Sequence, residues 1–383
     1  MFSFNTTPSI VSGEGTTARI ADIAGHILGS RVVFVTDRSL LSLGVVAPAL
    51  ASLEQAGVAV AVFSGVEPDP PEANVLDCAA LAARHKATGI LAIGGGSSMD
   101  VAKAAALIAG SGGALVDAYG VGKAKGPRLP LVLAPTTAGT GSEVTPIAIL
   151  TTGAAEKMGI SSPLLLPDMA VLDAEVTVGL PPGVTAATGI DAMVHAIESY
   201  ASASPNNNPI SRNLAREALR LLGRHIRTVV FDGADRQARG GMLLGSMLAG
   251  QAFGNSPVAA VHALAYPIGG HFHVPHGLSN ALVLPHVLRF NIPAAGGLYA
   301  EIAADAFPDL GGLPDTDRAI AFAERLAALT AELGLPTRLR DVGIGEDALP
   351  KLASDAMRQT RLLVNNPREM TKSDVLEIYR QAC

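Results

Sequence analysis

The chain has 383 residues, 49% of them hydrophobic and only 16% charged, with 28 Lys+Arg against 34 Asp+Glu and a net charge of −6. The length suits two domains of ordinary size, and the composition excludes a disordered, charge-rich chain. With neither a basic excess nor a Lys/Arg stripe, it also excludes nucleic acid as the main partner.

The first half alternates β-branched runs with helical segments. Residues 31–37 read as a buried strand, 40–57 as a helix, 58–64 as a second strand, 72–87 as a helix and 89–94 as a third strand. Such alternation implies βαβ crossovers and a largely parallel sheet. Residues 129–135, 147–151 and 170–173 are further strand candidates, extending the sheet or forming a small antiparallel addition. After Pro181 and Pro182 the period becomes helical, over 186–201, 211–230, 238–253, 317–333, 349–359 and 373–382. Proline at a first helical turn marks the change. The expected domains are therefore 1–180, α/β, and 181–383, all-helical.

One stretch is unusual: no Asp, Glu, Lys or Arg occurs between Arg239 and Arg289. A membrane-spanning helix needs about 20 consecutive apolar residues. Pro257, Pro267, Pro275 and Pro285, with Asn255, Asn280 and five histidines, interrupt this stretch, so it reads as protein interior and no membrane partner is expected. The first residues lack the basic region and apolar run of a signal peptide. Two cysteines, Cys78 and Cys383, cannot build a disulfide framework, so a reducing cytoplasm is the expected location.

Four polar constellations carry chemistry. The third predicted strand runs into Gly94-Gly95-Gly96-Ser97-Ser98-Met99-Asp100 and then a helix. Glycines there let the backbone approach a phosphate, and a helix start offers N–H groups and partial positive charge. A tight turn with a serine cap accounts for the same residues. Asp37 closes the first predicted strand, where a carboxylate can accept from a ribose 2′-OH and repel a 2′-phosphate, favouring NAD over NADP; it equally suits a helix cap. The segment Pro135-Thr136-Thr137-Ala138-Gly139-Thr140-Gly141-Ser142-Glu143-Val144-Thr145 places several hydroxyls at the carboxyl end of a strand, where open α/β sheets bind ligands.

The fourth constellation is Asp191-Ala192-Met193-Val194-His195. Four-residue spacing puts carboxylate and imidazole on one helix face, as for two metal ligands or for a hydrogen-bonded pair. The charge-free stretch adds His262, His271, His273, His276 and His286. One Asp with several His suits Fe, Zn, Co or Ni rather than Ca or Mg. Spacing alone does not choose among the five histidines.

These segments, with Gly189-Ile190-Asp191-Ala192-Met193-Val194-His195-Ala196-Ile197-Glu198, His262-Ala263-Leu264-Ala265-Tyr266-Pro267-Ile268-Gly269-Gly270 and Pro275-His276-Gly277, resemble the iron-containing (group III) alcohol dehydrogenases. The resemblance covers essentially the whole chain in the family's order. It implies an N-terminal, Rossmann-like dinucleotide-binding domain and an all-helical metal-binding domain, a dehydroquinate synthase-like architecture with metal and nicotinamide meeting in the cleft. It implies NAD(P)-linked interconversion of an alcohol with an aldehyde or ketone, a small-molecule substrate, Fe(II) or sometimes Zn or another divalent transition metal, and a homodimer or higher homo-oligomer.

By motif, the implied metal ligands are Asp191, His195, His262 and His276. The implied cofactor-binding residues are Asp37, Gly95, Gly96, Ser97, Asp100, Thr136, Thr137, Thr140, Ser142, Thr145 and Lys157. His271, His273 and His286 are not expected to ligate the metal. Many relatives carry a second histidine four residues after the one matched by His262; here that position is Tyr266. A phenol with an ordinary pKa near 10 is a poorer base at neutral pH than His. Proton handling then falls to Tyr266, to His271 or His273, or to metal and solvent. Two other readings are a dehydroquinate synthase-like lyase or cyclase using bound NAD without net oxidation, and a non-catalytic scaffold that retains the fold.

Overall fold

The computed structural model describes residues 1–153 and 156–383. The chain forms two compact units, one of Asn5–Gly179 and one of Leu180–Cys383 together with Met1–Phe4. The first four residues join the second unit through Ser3, whose backbone N–H donates to Asn206 Oδ1 at 2.9 Å and whose carbonyl accepts from Asn206 Nδ2 at 3.0 Å.

Among the described residues, the first unit is built on nine strands: β1 (Ser9–Ser12), β2 (Arg31–Val35), β3 (Ala59–Phe63), β4 (Gly89–Gly94), β5 (Gly120–Val121), β6 (Leu131–Pro135), β7 (Ile147–Thr152), β8 (Glu156–Ser161) and β9 (Met169–Leu172). Six form a wholly parallel sheet in the order β1-β9-β6-β4-β2-β3. The helices beside it are α1 (Ile20–Leu28), α2 (Arg38–Ser42), α3 (Ala47–Gln55), α4 (Glu72–His85) and α5 (Gly96–Ser111).

Strand alternation explains the layering. Val33, Val35, Ile90, Ala92, Leu131 and Leu133 pack with Val75, Cys78 and Met99 on the face covered by α4 and α5. Val32, Phe34, Leu91, Ile93, Val132 and Ala134 pack with Ile20, Leu28 and Leu53 on the face covered by α1 and α3. Both faces are covered, which is why β4 and β6 are apolar throughout instead of alternating. Chain order reverses direction in the sheet between β2 and β4: β3 lies on one side of β2, and the chain then returns to place β4 on the other. Ligands of doubly wound sheets bind at such a reversal, beyond the carboxyl ends of the strands.

Strands β7 and β8 form an antiparallel pair with β5 alongside β8, so 147–151 makes the small addition while β6 and β9 extend the main sheet. Three differences from expectation have local causes. Residues 40–57 form two helices, because Gly44 at φ +74 turns the chain between them. β1 has four residues at the sheet edge, with alternate residues more exposed, too short to stand out as a run. β8 is polar and interrupted by Gly159, and its strand conformation comes from pairing with β7.

The second unit is helical: α6 (Pro182–Ala201), α7 (Pro209–Phe231), α8 (Arg236–Asn255), α9 (Ala260–Phe272), α10 (His276–Ala306), α11 (Asp315–Glu332), α12 (Leu349–Ala356), α13 (Thr360–Leu363) and α14 (Lys372–Ala382). α6 is buried almost all round and packs against α7, α8 and α10. α10 runs for 31 residues through Pro285 and Pro293. An interior proline costs a helix about 3 kcal/mol; packing against α6, α7, α9, α11 and α14 holds this one together. No helix of the described residues is long and apolar enough to cross a membrane.

Candidate functional site

In the first unit, β2, β4 and β6 are parallel neighbours, so the polar segments that follow them lie side by side. Gly95 caps α5 with extended backbone and brings no side-chain acceptor to the helix start. The first amides of a helix lack partners within it, and that end carries partial positive charge. Gly95, Gly96 and Ser97 therefore fit an anion such as a pyrophosphate. A Cβ on Gly96 would lie 2.8 Å from Thr140 Cγ2, and Thr137 faces Gly95, so both threonines lie against the glycine turn. Thr136 ties the strand ends together through its N–H, which donates to the Gly94 carbonyl at 3.0 Å.

Asp100, Ser142 and Thr145 are engaged with one another through a residue that the sequence reading passed over. Lys103, fully buried in α5, donates to Ser142 Oγ at 2.7 Å, Thr145 Oγ1 at 3.2 Å and the Ile147 carbonyl at 2.8 Å. Asp100 accepts from Ser142 Oγ at 2.6 Å and from the Ile149 N–H at 2.9 Å. These contacts brace the hydroxyl segment against α5, and both Asp100 oxygens are held by the chain itself. Burial lowers the Lys103 ammonium to about 8, against the pull of Asp100 and Glu143, and burial raises Asp100. Burial likewise pushes Glu143 up to about 7, with its Oε2 unpartnered.

Asp37 does cap a helix: its Oδ1 accepts from the Leu40 N–H at 3.0 Å. Lys157, on β8, pairs with Asp69 Oδ1 at 2.6 Å and donates to Thr151 Oγ1 at 2.9 Å, so reaching a cofactor would require it to leave Asp69.

In the helical unit, Asp191 and His195 on α6 converge with His262 on α9, one ligand atom from each lying within 4.8 Å of the others, all buried. His276, at the first position of α10, brings Nε2 to 3.7 Å from Asp191 Oδ1, and His262 Nε2 lies 3.9 Å from the same oxygen. These separations exceed hydrogen-bond length. They approach the ~3.4 Å expected between ligands bound at about 2.1 Å in a tetrahedron. Asp191, His195 and His262 are buried, while His276 is open to solvent on one side. A carboxylate and imidazoles that face one another at non-bonding distance are stabilised by a cation between them, so the donor set fits a divalent metal. Burial works to raise the Asp191 carboxyl, but His195, His276, His262 and the Asn280 amide outweigh it and hold it low.

The surroundings orient this quartet. Phe253 of α8 stacks on the His195 ring at 4.3 Å, and the His262 ring lies 4.8 Å from that of His195. Asn280, one turn after His276, donates from Nδ2 to Asp191 Oδ1 at 2.6 Å. Glu198 lies three residues after His195; its Oε2 is 2.7 Å from His262 Nδ1, and its Oε1 accepts from the Val261 N–H at 2.6 Å. Glu198 and Asn280 were missed. The positions 191, 195 and 198 share a helix face, which is the signal that could have found Glu198.

The other histidines lie elsewhere. His271 is exposed and bonds through Nε2 to Asp355 of α12 at 2.7 Å. His273 ends α9 in left-handed backbone at φ +54. Burial and then Arg289 lower His286 to about 4, leaving it neutral at pH 7. Tyr266, one turn beyond His262, is partly buried with its ring 5.9 Å from that of His276. Of the three residues considered for proton handling, the structure brings Tyr266 beside the quartet, turns His271 to Asp355 and leaves His273 exposed at the end of α9.

Comparisons with known proteins agree over the whole length. Residues 7–174 match the family model described as iron-containing alcohol dehydrogenase, and residues 185–383 match that of the Fe-containing alcohol dehydrogenase family, C-terminal. Long-chain-alcohol dehydrogenase 1 of Geobacillus thermodenitrificans is 40% identical over 377 residues, 97% of this chain and 94% of that protein. The crystal structure of a 1,3-propanediol oxidoreductase superposes with a TM-score of 0.95 at 35% identity, covering 100% of both chains. Sulfoacetaldehyde reductase from Bifidobacterium kashiwanohense, solved in complex with NAD+, has a TM-score of 0.89 at 30% identity, covering 100% of this chain and 98% of that one.

Proposed function

Because the chain belongs to the iron-containing alcohol dehydrogenase family, we propose that Asp191, His195, His262 and His276 hold its divalent metal, with Fe(II) the first choice. The protein is an NAD(P)-linked oxidoreductase acting on CH–OH groups. The observation that carries the metal assignment is the convergence of one buried carboxylate with imidazoles at ligand-to-ligand spacing. Bound there, the metal would supply Lewis acidity, and a nicotinamide cofactor would supply the hydride acceptor or donor.

The chain's own residues orient and exclude. Asp191 contributes the one formal negative charge of the quartet, and Phe253 covers the His195 ring, limiting water on that side. Tyr266 passes the alcohol proton on; its phenol suits a hydrogen-bonded relay better than a free base at neutral pH. The amides at the start of α5, with Gly95, Gly96, Ser97, Thr136, Thr137 and Thr140, hold the cofactor pyrophosphate. Asp100, Ser142 and Thr145 act behind them as braces on Lys103. Asp37 reads the adenosine ribose and favours NAD over NADP. The free thiols Cys78 and Cys383 support a cytoplasmic location, and we expect a homodimer or higher homo-oligomer.

The test is an NAD(H)-linked screen over alcohols and aldehydes with chelator-treated protein, restoring Fe, Zn, Co and Ni in turn. Activity should return with metal and be abolished in His262→Ala. Full activity of metal-depleted protein would remove the metal from the reaction.

A further inference from the structure

Glu198 is a buried carboxylate whose partners belong to one short segment of α9. Its side chain is about 5% exposed. Oε1 accepts from the Val261 N–H at 2.6 Å and Oε2 faces His262 Nδ1 at 2.7 Å. Val261 is the second residue of α9, whose preceding residue, Ala259, makes no side-chain cap. The carboxylate thus supplies a missing cap and sits at the positive end of that helix. A carboxylate oxygen only accepts, so the hydrogen of the His262 ring must be on Nδ1. Nε2 is left with its lone pair toward Asp191, 3.9 Å away. An independent contact agrees: a donor, Asn280 Nδ2, lies 3.4 Å from that Nε2.

We propose that Glu198 is a positioning residue of the metal centre, which through one clamp on Val261 and His262 fixes the ring angle of His262 and the tautomer that leaves Nε2 able to ligate. This rests on the reading of the quartet as the metal site. Partners that orient a ligating histidine are typically worth 10–100-fold in metal affinity.

Glutamine at this position separates the two oxygens' tasks. If its amide oxygen faces Val261, its NH2 faces His262 Nδ1, which must then accept, and the hydrogen moves to Nε2 where a metal would bind. If the oxygen faces His262, the NH2 opposes the Val261 N–H. Neither orientation reproduces the clamp, although the side chain keeps its size.

The experiment titrates Co(II) and Zn(II) into metal-free wild type and Glu198→Gln, following cobalt absorption and chelator competition. Long-range 1H–15N spectra of histidine-labelled, metal-free protein read the tautomers. The expected result is a Kd about 10–100-fold weaker in the variant, with His262 protonated on Nδ1 in the wild type and shifted toward Nε2 in Glu198→Gln. A residue serving only to cap α9 would lower the thermal midpoint without moving either readout. If the wild type binds no metal at one per chain, the quartet assignment fails, and this inference with it. If the wild type binds and Glu198→Gln matches it within twofold, only the inference fails. Should Glu198→Gln not fold, the wild-type spectrum still decides, because a metal-free His262 protonated on Nε2 overturns the proposal.

Discussion

Replacing Gly277 by alanine tests how closely α6 and α10 must approach to assemble the quartet. A Cβ on Gly277 would lie 2.4 Å from the Ala187 carbonyl oxygen, 2.8 Å from its carbon and 3.3 Å from Asp191 Cβ. The atoms it meets first are backbone in the middle of α6, so no side chain can swing away. Ordinary contact begins at 3.4 Å, so the first turn of α10 must retreat by about 1 Å, the difference between 3.4 and 2.4 Å. His276 precedes Gly277 and would be carried with it, away from Asp191. Metal–ligand distances tolerate only about ±0.2 Å. Overpacking itself costs about 1–3 kcal/mol. Gly277→Ala should therefore lower the thermal midpoint of metal-free protein and weaken Co(II) binding at least 10-fold, toward the range seen when an orienting group is lost. Gly240→Ala on α8 is the control, since a Cβ there meets nothing within 4 Å; it should leave metal affinity unchanged and stabilise by about 0.5–1 kcal/mol. Wild-type metal affinity in a destabilised Gly277→Ala would refute His276 as a ligand, and wild-type stability would refute the packing argument.

Two further predictions concern the first unit. Asp37→Gly should raise the ratio of kcat/KM for NADP to that for NAD at least 10-fold, while loss of the Leu40 cap costs only a few tenths of a kcal/mol; a wild type that already prefers NADP would contradict the role given to Asp37. Glu143→Gln should change how stability depends on pH. Burial raises the Glu143 carboxyl from 4.5 to about 7, so its contribution is present below pH 4.5 and lost as pH rises through 7, a change of about 3 kcal/mol. Urea unfolding of both proteins at pH 5 and pH 8 should show the variant gaining on the wild type as pH rises. A constant difference between them would refute a carboxyl held neutral by burial.

What could be read from the sequence was local, and what could not depended on contacts between distant segments. The buried strands β2, β4 and β6 are continuous apolar runs flanked by turn residues. The shared face of Asp191 and His195 follows from a four-residue spacing within one helix. Choosing His262 and His276 from five histidines took the whole family pattern, because α9 and α10 are brought together only by packing. Lys103 was passed over for a related reason: lysine usually reads as a solvated charge, and its partners lie 39 to 44 residues away. Asp37 and Gly96 illustrate positions where packing alone accounts for a residue that the proposed binding role would also use. Asp37 caps α2, and Gly96 is required by Thr140 as well as suited to a phosphate.

The two units treat buried carboxylates differently, and the difference bears on the metal. In the first, Asp100 and Glu143 lie beside the fully buried Lys103, whose charge acts on both. In the second, the positive influences on Asp191 are the imidazoles of His195, His276 and His262, and Glu198 joins it about two turns along the same helix. The segment that packs these histidines, between Arg239 and Arg289, carries no lysine or arginine at all. A lysine there would hold the carboxylates without any metal and would compete for the same space. On the proposed assignment, leaving that region uncharged favours a divalent cation as the partner of the two buried carboxylates, and metal affinity would depend on both Asp191, which would face it, and Glu198, which would act through His262.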